Sequence, residues 1–357
     1  MDFLVKRDDL HEVRFHDTET PMLKAGEALL AVRSFGLTAN NITYAVFGDA
    51  MSYWDFFPAE QGWGRIPVWG FADVVATDAD QLPEGTRVYG YLSPSTHLTV
   101  KPESIDERGF VDSSPHRSAL PPVYNRYARA EADSLYDASL EDQLILLRPL
   151  FLTSFFIDDF LADGGFFGAE SLVLSSASSK TALSAAFLLS RRDEIEVVGL
   201  TSPQRVEFVE STGAYSRVLA YEQIDSLPER PAVYVDMSGD ADVRGAVHRH
   251  YGDRLAHSAM VGATHWDRMG GGGDTLPGPS PTLFFAPDRI KVRSSDWGAE
   301  SLETRTADAW RPFVEWSGGW LQVVHGHGPE AVERAYRELL DGRVGSATGH
   351  VLSLDPE

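Results

Sequence analysis

The sequence predicts an α/β chain: a β-rich N-terminal part followed by a doubly wound parallel sheet. Three observations carry this. Residues 1–100 hold short strand-like stretches separated by turn residues, the pattern of a small barrel or irregular sheet. From 168 to 290 apolar strands alternate with helical segments, as strands do when helices cover both faces of a parallel sheet. The chain has 357 residues, 43% of them hydrophobic, which is enough for two domains with proper cores.

Taken in order, GEALLAVRSFGLT (26–38) alternates as a strand up to a turn signal, and IPVWGFADVVAT (66–77) reads as a second strand pair. LPEGTRVYGYL (82–92) is a turn and then a strand, and THLTVKPESI (96–105) is a strand stopped by Pro102. Residues 106–140 are polar, with Pro115, Pro121 and Pro122 among Tyr124, Tyr127 and Tyr136. This stretch is too long for an ordinary connection and is either a functional insertion or a covering loop. A dense apolar helix follows from 143, with Pro149 near its start or at a kink.

The alternating part begins with strand SLVLSS (171–176) and helix KTALSAAFLLSRR (180–192). It continues with strand IEVVGLT (195–201), helix PQRVEFVESTG (203–213) and strand SRVLAY (216–221). Strand AVYVDMS (232–238), helix DVRGAVHRHYG (242–252) and strands LAHSAMVGAT (255–264) and PTLFFAP (281–287) complete it. MGGGGD (269–274) reads as a flexible loop. PEAVERAYRELLDG (329–342) is an amphipathic helix ended by Gly342, and HVLSL (350–354) closes as a strand.

Composition narrows the chemistry. There is no cysteine, which removes disulfides, iron–sulfur clusters, thiolate zinc sites and a cysteine nucleophile. The net charge is −22, which argues against nucleic acid or an anionic membrane surface as partner. The start lacks a signal-peptide pattern and no window reaches 18 apolar residues. The expectation is a soluble cytoplasmic protein. His248-x-His250 falls on a helix, where i and i+2 face apart, and His325-Gly326-His327 falls in a loop; both read as surface pairs, and no metal site is expected.

A dinucleotide site belongs where the first strand of the parallel sheet hands over to its helix. That junction reads Ser175-Ser176-Ala177-Ser178-Ser179-Lys180-Thr181-Ala182. It has no glycine, yet small residues keep the backbone approachable, hydroxyls add donors and Lys180 adds a cation at the helix N-terminus. It is either a phosphate site or a serine-rich helix cap in a fold that has lost its cofactor. Only five lysines occur in the chain, and one stands here. The end of the second strand, Gly199-Leu200-Thr201-Ser202-Pro203-Gln204-Arg205, has no acid for a ribose hydroxyl. Thr201, Ser202 and Arg205 suit a 2′-phosphate, which favours NADP over NAD. The bland alternatives are an N-cap for Thr201 and Ser202 and a solvated helix position for Arg205.

The whole chain resembles the medium-chain dehydrogenase/reductase superfamily, in its zinc-free, quinone-reductase-like and enoyl-reductase-like branch. It looks closest to the DUF2855 group. GEALLAVRSFGLTANNITYAVFGD is similar to the superfamily's strand and following helix, and LPEGTRVYGY to its turn before a strand. SSASSKTA stands where that superfamily carries a glycine-rich loop, so Ser176, Ser179 and Lys180 occupy glycine positions. Gly213-Ala214, VDMSGD, MVGATHW and ERAYRELLDGRVGSATGHVL match later motifs in order. The resemblance implies a GroES-like substrate domain over 1–145 and 311–357, with an atypical insertion at 106–140. It implies a Rossmann domain over 146–310. It further implies a homodimer paired through the last Rossmann strands, where PTLFFAP is apolar, although its flanking prolines equally suit a protected monomer edge, and Asn41 where the superfamily has an acid.

In this superfamily the substrate lies between the domains, so residues of loops facing that cleft are candidates. Asn40-Asn41-Ile42-Thr43-Tyr44 offers amides and a phenol that polarise a carbonyl or pass a proton, or else Asn40 caps a helix and Tyr44 packs in the core. Tyr53-Trp54-Asp55-Phe56-Phe57, with Trp63 and Trp69, is either a pocket wall or core and dimer packing. Tyr124-Asn125-Arg126-Tyr127 concentrates polar groups in the insertion and reads as substrate-facing. Gly262, Thr264 and His265 follow a strand end where open sheets bind ligands. His265 serves there as an acid/base, a phosphate contact or a structural residue.

The resulting expectation is a zinc-free, NADPH-dependent reductase of an enone, enoyl thioester, quinone or carbonyl, with Tyr44 and Tyr124 as leading proton donors. A lyase or isomerase using Lys180 for an anionic substrate, and a nucleotide-sensing binding protein, are the other readings.

Overall fold

The computed structural model describes residues 1–261 and 276–355. The chain divides into two compact units, Met1–Arg148 with Leu321–Glu357, and Pro149–Trp320. The first unit opens with β1 (Asp2–Lys6), β2 (Val13–His16), β3 (Ala28–Leu37), α1 (Ala39–Val46), β4 (Trp63–Gly64), β5 (Val68–Thr77) and β6 (Arg87–Leu92). It continues with β7 (His97–Val100), β8 (Pro102–Asp106), β9 (Gly109–Asp112), β10 (Arg126–Arg129) and the start of α2 (Glu141–Asp163). The second unit holds β11 (Ser171–Leu174), α3 (Lys180–Leu189), β12 (Glu196–Thr201), α4 (Val206–Ser211), β13 (Arg217–Ala220), β14 (Ala232–Asp236) and α5 (Ala241–Tyr251). After β15 (Leu255–Met260), β16 (Thr282–Leu283), α6 (Ala286–Trp297) and α7 (Ala299–Ser317), the chain returns through β17 (Gln322–His327), α8 (Gly328–Leu340) and β18 (Thr348–Ser353).

In the first unit β3 is the spine. Its ten residues are mostly buried, and it pairs antiparallel with β5, β7 and β18. A nine-stranded sheet spreads from it in the order β17-β18-β3-β5-β6-β10-β9-β8 with β7 also on β3, and a three-stranded sheet β2-β1-β4 stands apart. Tyr89 and Tyr91 of β6 alternate with Gly90 and so face the opposite side from it. Tyr127 of β10 lies directly over Gly90, where a Cβ would come within 2.4 Å of its ring. The Tyr127 phenol donates to the Tyr91 carbonyl oxygen at 2.7 Å, and its ring stacks on Phe110 at 5.0 Å.

The second unit is a parallel sheet in the order β13-β12-β11-β14-β15-β16. Strand order reverses between β11 and β14, which makes their C-terminal ends a ligand crevice by topology alone. The inner strands are apolar runs without alternation: SLVL and AVYVD are buried at every position, as burial on both faces requires.

Several expectations change. IPVWGFADVVAT forms one strand, because β3 and β6 pair with Gly70 through its backbone from both sides. Pro102 ends β7 but also begins β8, which proline tolerates as a first strand residue. Residues 106–140 are not a covering loop. They supply β9 and β10 to the sheet and are pinned by the fully buried ion pair of Arg117 and Asp112 at 3.3 Å. PTLFFAP yields only the two-residue β16, because α6 starts at Ala286 with Pro287 in its first turn. α7 was not expected; it buries Thr306, Trp310, Phe313 and Ser317 on one face. His325, Gly326 and His327 lie in β17, not in a loop, and every one pairs with β18. The loop 269–274 lies outside the described residues.

The packing of Tyr127 on Gly90 gives a direct test. Gly90→Ala should destabilise the protein by about 1–3 kcal/mol through overpacking, read as a lower denaturation midpoint, whereas Ala128→Ser on the opposite face of the sheet should leave it nearly unchanged.

Candidate functional site

At the end of β11 the chain turns through Ser175–Ser179 into α3. Ser175 is fully buried, and its hydroxyl donates to Asp236 Oδ1 at 2.9 Å while accepting the N–H groups of Met237 and Ser238 at 3.0 and 3.1 Å. Asp236, at the end of β14, is also fully buried. Its Oδ1 accepts from the Ser238 hydroxyl and the N–H groups of Ser238 and Gly239, and its Oδ2 receives Arg244 Nη1 at 3.0 Å. A buried carboxylate with this many donors is fully compensated. It fastens the loop to the crevice between β11 and β14.

Ser176 follows in the left-handed backbone region with φ +50°, which a glycine adopts without strain and a serine does not. Two phenols hold it there. Tyr221 accepts the Ser176 N–H at 3.0 Å, and Tyr215 donates to the Ala177 carbonyl at 2.9 Å. Ala177 N–H donates to the Leu200 carbonyl of β12 at 2.9 Å. Gly199 makes room for this clamp, since a Cβ there would lie 2.9 Å from Ala177 and 3.0 Å from the Tyr215 ring. Ser179 caps α3, its hydroxyl accepting Ala182 N–H at 3.2 Å. Ser178 and Thr181 are half-buried beside it.

The charge here is positive. Lys180, half-buried at the first turn of α3, has its ammonium pushed down to about pKa 8 by desolvation and by the neighbouring Arg205 charge. Thr201 is buried at the end of β12. Ser202 flanks the short turn Pro203–Arg205 and does not cap it with its hydroxyl. No carboxylate occurs in 175–182 or 199–205. Hydroxyls, two cations and a ten-residue helix N-terminus form a donor set that fits a phosphorylated nucleotide. Gly262, Thr264 and His265 lie outside the described residues.

In the first unit the tyrosines gather, but not in the expected grouping. Tyr44 of α1 is buried, its ring 4.5 Å from Tyr53 and 5.8 Å from Tyr91. Tyr124 packs on Tyr91 at 4.7 Å, on Phe56 at 5.3 Å and on Trp69 at 6.0 Å. Trp69 and Tyr91 are cross-strand partners in β5 and β6, with ring centroids 5.0 Å apart. Burial pushes the phenols of Tyr44, Tyr91 and Tyr124 well above the ordinary tyrosine range, so all stay protonated at physiological pH. Tyr53 and Tyr124 remain partly exposed on short turns, whereas Tyr44 and Tyr91 are buried behind them.

The run Tyr124-Asn125-Arg126-Tyr127 splits. Tyr124 joins the phenols, Tyr127 enters the core, and Arg126 is exposed near Asp106. Asn125 donates to the Arg117 carbonyl at 3.2 Å. A β-type alternation at 126–129 explains the split, because successive side chains of β10 point oppositely. Asn41, not Asn40, serves the helix start. Its Oδ1 accepts from the Thr38 N–H and hydroxyl, and its Nδ2 donates to the Pro67 carbonyl. Asn40 instead lies beside the Tyr44 phenol. Trp54 is core, Trp63 stacks under Arg14 at 4.0 Å, and Trp69, Tyr53 and Phe56 belong to the cluster. His248 is not a surface residue: it is fully buried between the Pro277 carbonyl and the Ser258 hydroxyl, both 2.9 Å away. His325 pairs with Asp142 at 2.9 Å. Among the described residues, no three His, Asp or Glu side chains converge as a metal site would need, and no helix is long and apolar enough to cross a membrane.

Sequence reasoning read Ser175 only as part of the junction and assigned no role to Tyr91, Tyr215, Tyr221 or Asp236. Only Tyr91 carried a signal: the Tyr-Gly-Tyr alternation of β6 places two phenols on one face.

The Ser175–Asp236 bond predicts that Ser175→Ala costs about 1–3 kcal/mol, because the Met237 N–H loses its partner and the Ser238 N–H and the buried Asp236 Oδ1 each lose one of theirs. Denaturant melts would show it, and hydrogen exchange at Met237 and Ser238 should accelerate. Ser178→Ala, which breaks none of these bonds, should change neither.

Comparison with known proteins places this geometry. The fold matches that of CurA from Vibrio vulnificus in complex with NADPH (TM-score 0.58, 13% identity, 97% of this chain and 95% of that one). It also matches a putative NADPH:quinone reductase from Bacillus thuringiensis (TM-score 0.57, 12% identity, 99% and 98%). A mutant form of enoyl thioester reductase from Candida tropicalis is similar as well (TM-score 0.56, 12% identity, 99% and 98%). No curated protein sequence matches. At such identities the likeness is one of fold: a GroES-like part and a Rossmann sheet, as in medium-chain dehydrogenases and reductases. The sequence profile of the family described as "Protein of unknown function (DUF2855)" matches residues 35–345, and the chain therefore belongs to the DUF2855 family.

Proposed function

We propose that this protein is an NADPH-dependent oxidoreductase that reduces an enone, enoyl thioester, quinone or carbonyl compound. The observation that carries the reading is the cationic, hydroxyl-lined loop at the β11–α3 junction, beside Arg205 at the end of β12. The similar folds of CurA bound to NADPH and of the putative NADPH:quinone reductase support it.

Ser176, Ser178, Ser179, Lys180 and Thr181 would hold the pyrophosphate, and Thr201, Ser202 and Arg205 the 2′-phosphate. Bound NADPH supplies the hydride. The protein's own residues do the rest. Lys180 and Arg205 neutralise the phosphates, and an anion between them offsets the desolvation and the Arg205 repulsion that depress Lys180. Neutral phenols donate hydrogen bonds to the oxygen on which negative charge develops. Burial makes ionised Tyr44 costly, so Tyr44 orients and polarises without giving up its proton. Tyr124, partly open, passes a proton from water to the reduced carbon or oxygen. No cysteine is available for a catalytic zinc of the thiolate type, and the reaction is read as zinc-independent. The molecule is read as a cytoplasmic homodimer acting on a small molecule.

Calorimetric titration should show NADPH binding about tenfold or more tighter than NADH, as expected when a charged hydrogen-bond partner is supplied or lost, with Arg205→Ala removing the preference. Absence of binding by both at millimolar concentration contradicts the reading. The pH dependence has a defined sign. Lys180 in the free protein loses its proton near pH 8 and must regain it to face a phosphate, so affinity should fall as pH rises from 8 towards 10. Lys180→Arg stays charged over that range and should flatten the profile.

A further inference from the structure

The five lysines of the chain occupy two kinds of setting. Lys6 is paired with Glu12, Lys101 with Glu103 at 3.5 Å and Lys291 with Asp288 at 3.6 Å, and Lys24 is exposed. Lys180 stands in the reverse setting. It is half-buried, the charge acting on it is the Arg205 cation, and neither 175–182 nor 199–205 contains a carboxylate. Ser178 and Thr181 lie half-buried on either side, and Ser179 caps the helix that Lys180 begins. A lysine attacks an electrophile only as the amine, never as the ammonium. Desolvation and a nearby cation both favour the amine, and Lys180 loses its proton near pH 8.

At pH 8 about half of Lys180 is amine, against about 0.4% of a fully solvated lysine. Lower basicity returns part of this advantage, because nucleophilicity falls with pKa. The surroundings choose the electrophile. Arg205 and the loop hydroxyls suit a phosphate. A donor that carries its phosphate next to the reacting carbon is brought up to Lys180 by that phosphate, which turns a collision into a positioned reaction.

We infer that Lys180 is an acylation site for a small acyl phosphate, and that acylation closes the nucleotide site. The Lys180 amine attacks the acyl carbon, and the bond from that carbon to the phosphate oxygen breaks. Inorganic phosphate leaves with the electron pair of that bond, and the nitrogen gives its extra proton to water. The product is an uncharged amide. Of the two cations, Arg205 is left, and the acyl group fills space at the first turn of α3. The reaction stands apart from the reductase reading, while its regulatory consequence rests on that reading.

The test incubates the full chain with acetyl phosphate at pH 8 and follows all five lysines by peptide mass spectrometry. Lys180 should be acetylated about tenfold or more faster than each of the others. Inorganic phosphate should slow Lys180 and no other lysine. The N-hydroxysuccinimide ester of acetic acid, an uncharged donor, should prefer Lys180 less strongly, and Arg205→Ala should lower the preference shown by acetyl phosphate. Protein acetylated at Lys180 should bind NADPH about tenfold or more weakly, as expected when a charged hydrogen-bond partner is lost. Equal rates at all five lysines, phosphate without effect, or an equal preference by the uncharged donor overturns the inference. So does an NADPH affinity that acetylation leaves unchanged. Selective, phosphate-sensitive acetylation of a chain that binds no NADPH would preserve the acylation site and end the reductase reading. NADPH binding with no preference for Lys180 would do the reverse.

Discussion

The candidate nucleotide site depends on one buried carboxylate. Asp236 sits at the point where strand order reverses and draws donors from Ser175, Ser238, Gly239 and Arg244. These bonds tie the end of β14 to the end of β11, to the turn that follows β14 and to α5. Without them, the ends of β11 and β14 would present unpaired backbone groups in a dry crevice. With them, the loop before α3 has a fixed base, and everything above that base inherits its position.

On this base the protein solves a backbone problem by an unusual route. A glycine-rich loop turns tightly because glycine has no preference against left-handed φ. This loop places Ser176 in that conformation and enforces it from outside, with Tyr221 on the Ser176 N–H and Tyr215 on the Ala177 carbonyl. What the loop loses in conformational freedom it replaces with side-chain hydroxyls and with Lys180. Electrostatic recognition of phosphate then rests more on side chains than on bare backbone. In a chain of net charge −22, the adjacent positive charges of Lys180 and Arg205 stand against the overall field.

Much of the fold was legible because its signal is periodic. Unbroken apolar strands between amphipathic helices identify a parallel sheet, and the strand–helix junction at 174–180 marks the loop. Legibility failed where pairing, not pattern, decides. β17 carries exposed His325 and His327 and looks like a loop, yet β18 recruits it through backbone bonds. Residues 106–140 look irregular, yet Asp112 and Arg117 bury each other and add two strands to the sheet. His248 was misjudged because a helix period alone cannot reveal that Ser258 and the Pro277 carbonyl await both its ring nitrogens. The phenol cluster was half legible. Tyr44 and Tyr124 stood out as unusual residues in loops and helix starts. Tyr91 was hidden in a strand, and its meeting with Trp69 is a matter of register. Five elements contribute, from residues 44 to 124, and no local pattern encodes their convergence.

The central claim is that a loop of serines and one lysine does the work of a glycine-rich phosphate loop. A crystal structure of the protein soaked with NADPH tests it most directly. The account predicts pyrophosphate density against Ser176–Thr181 and the α3 N-terminus. It also predicts the 2′-phosphate beside Arg205, and Ser176 still left-handed under Tyr221. Nucleotide bound elsewhere, or a full-occupancy soak that leaves this loop bare, would contradict it.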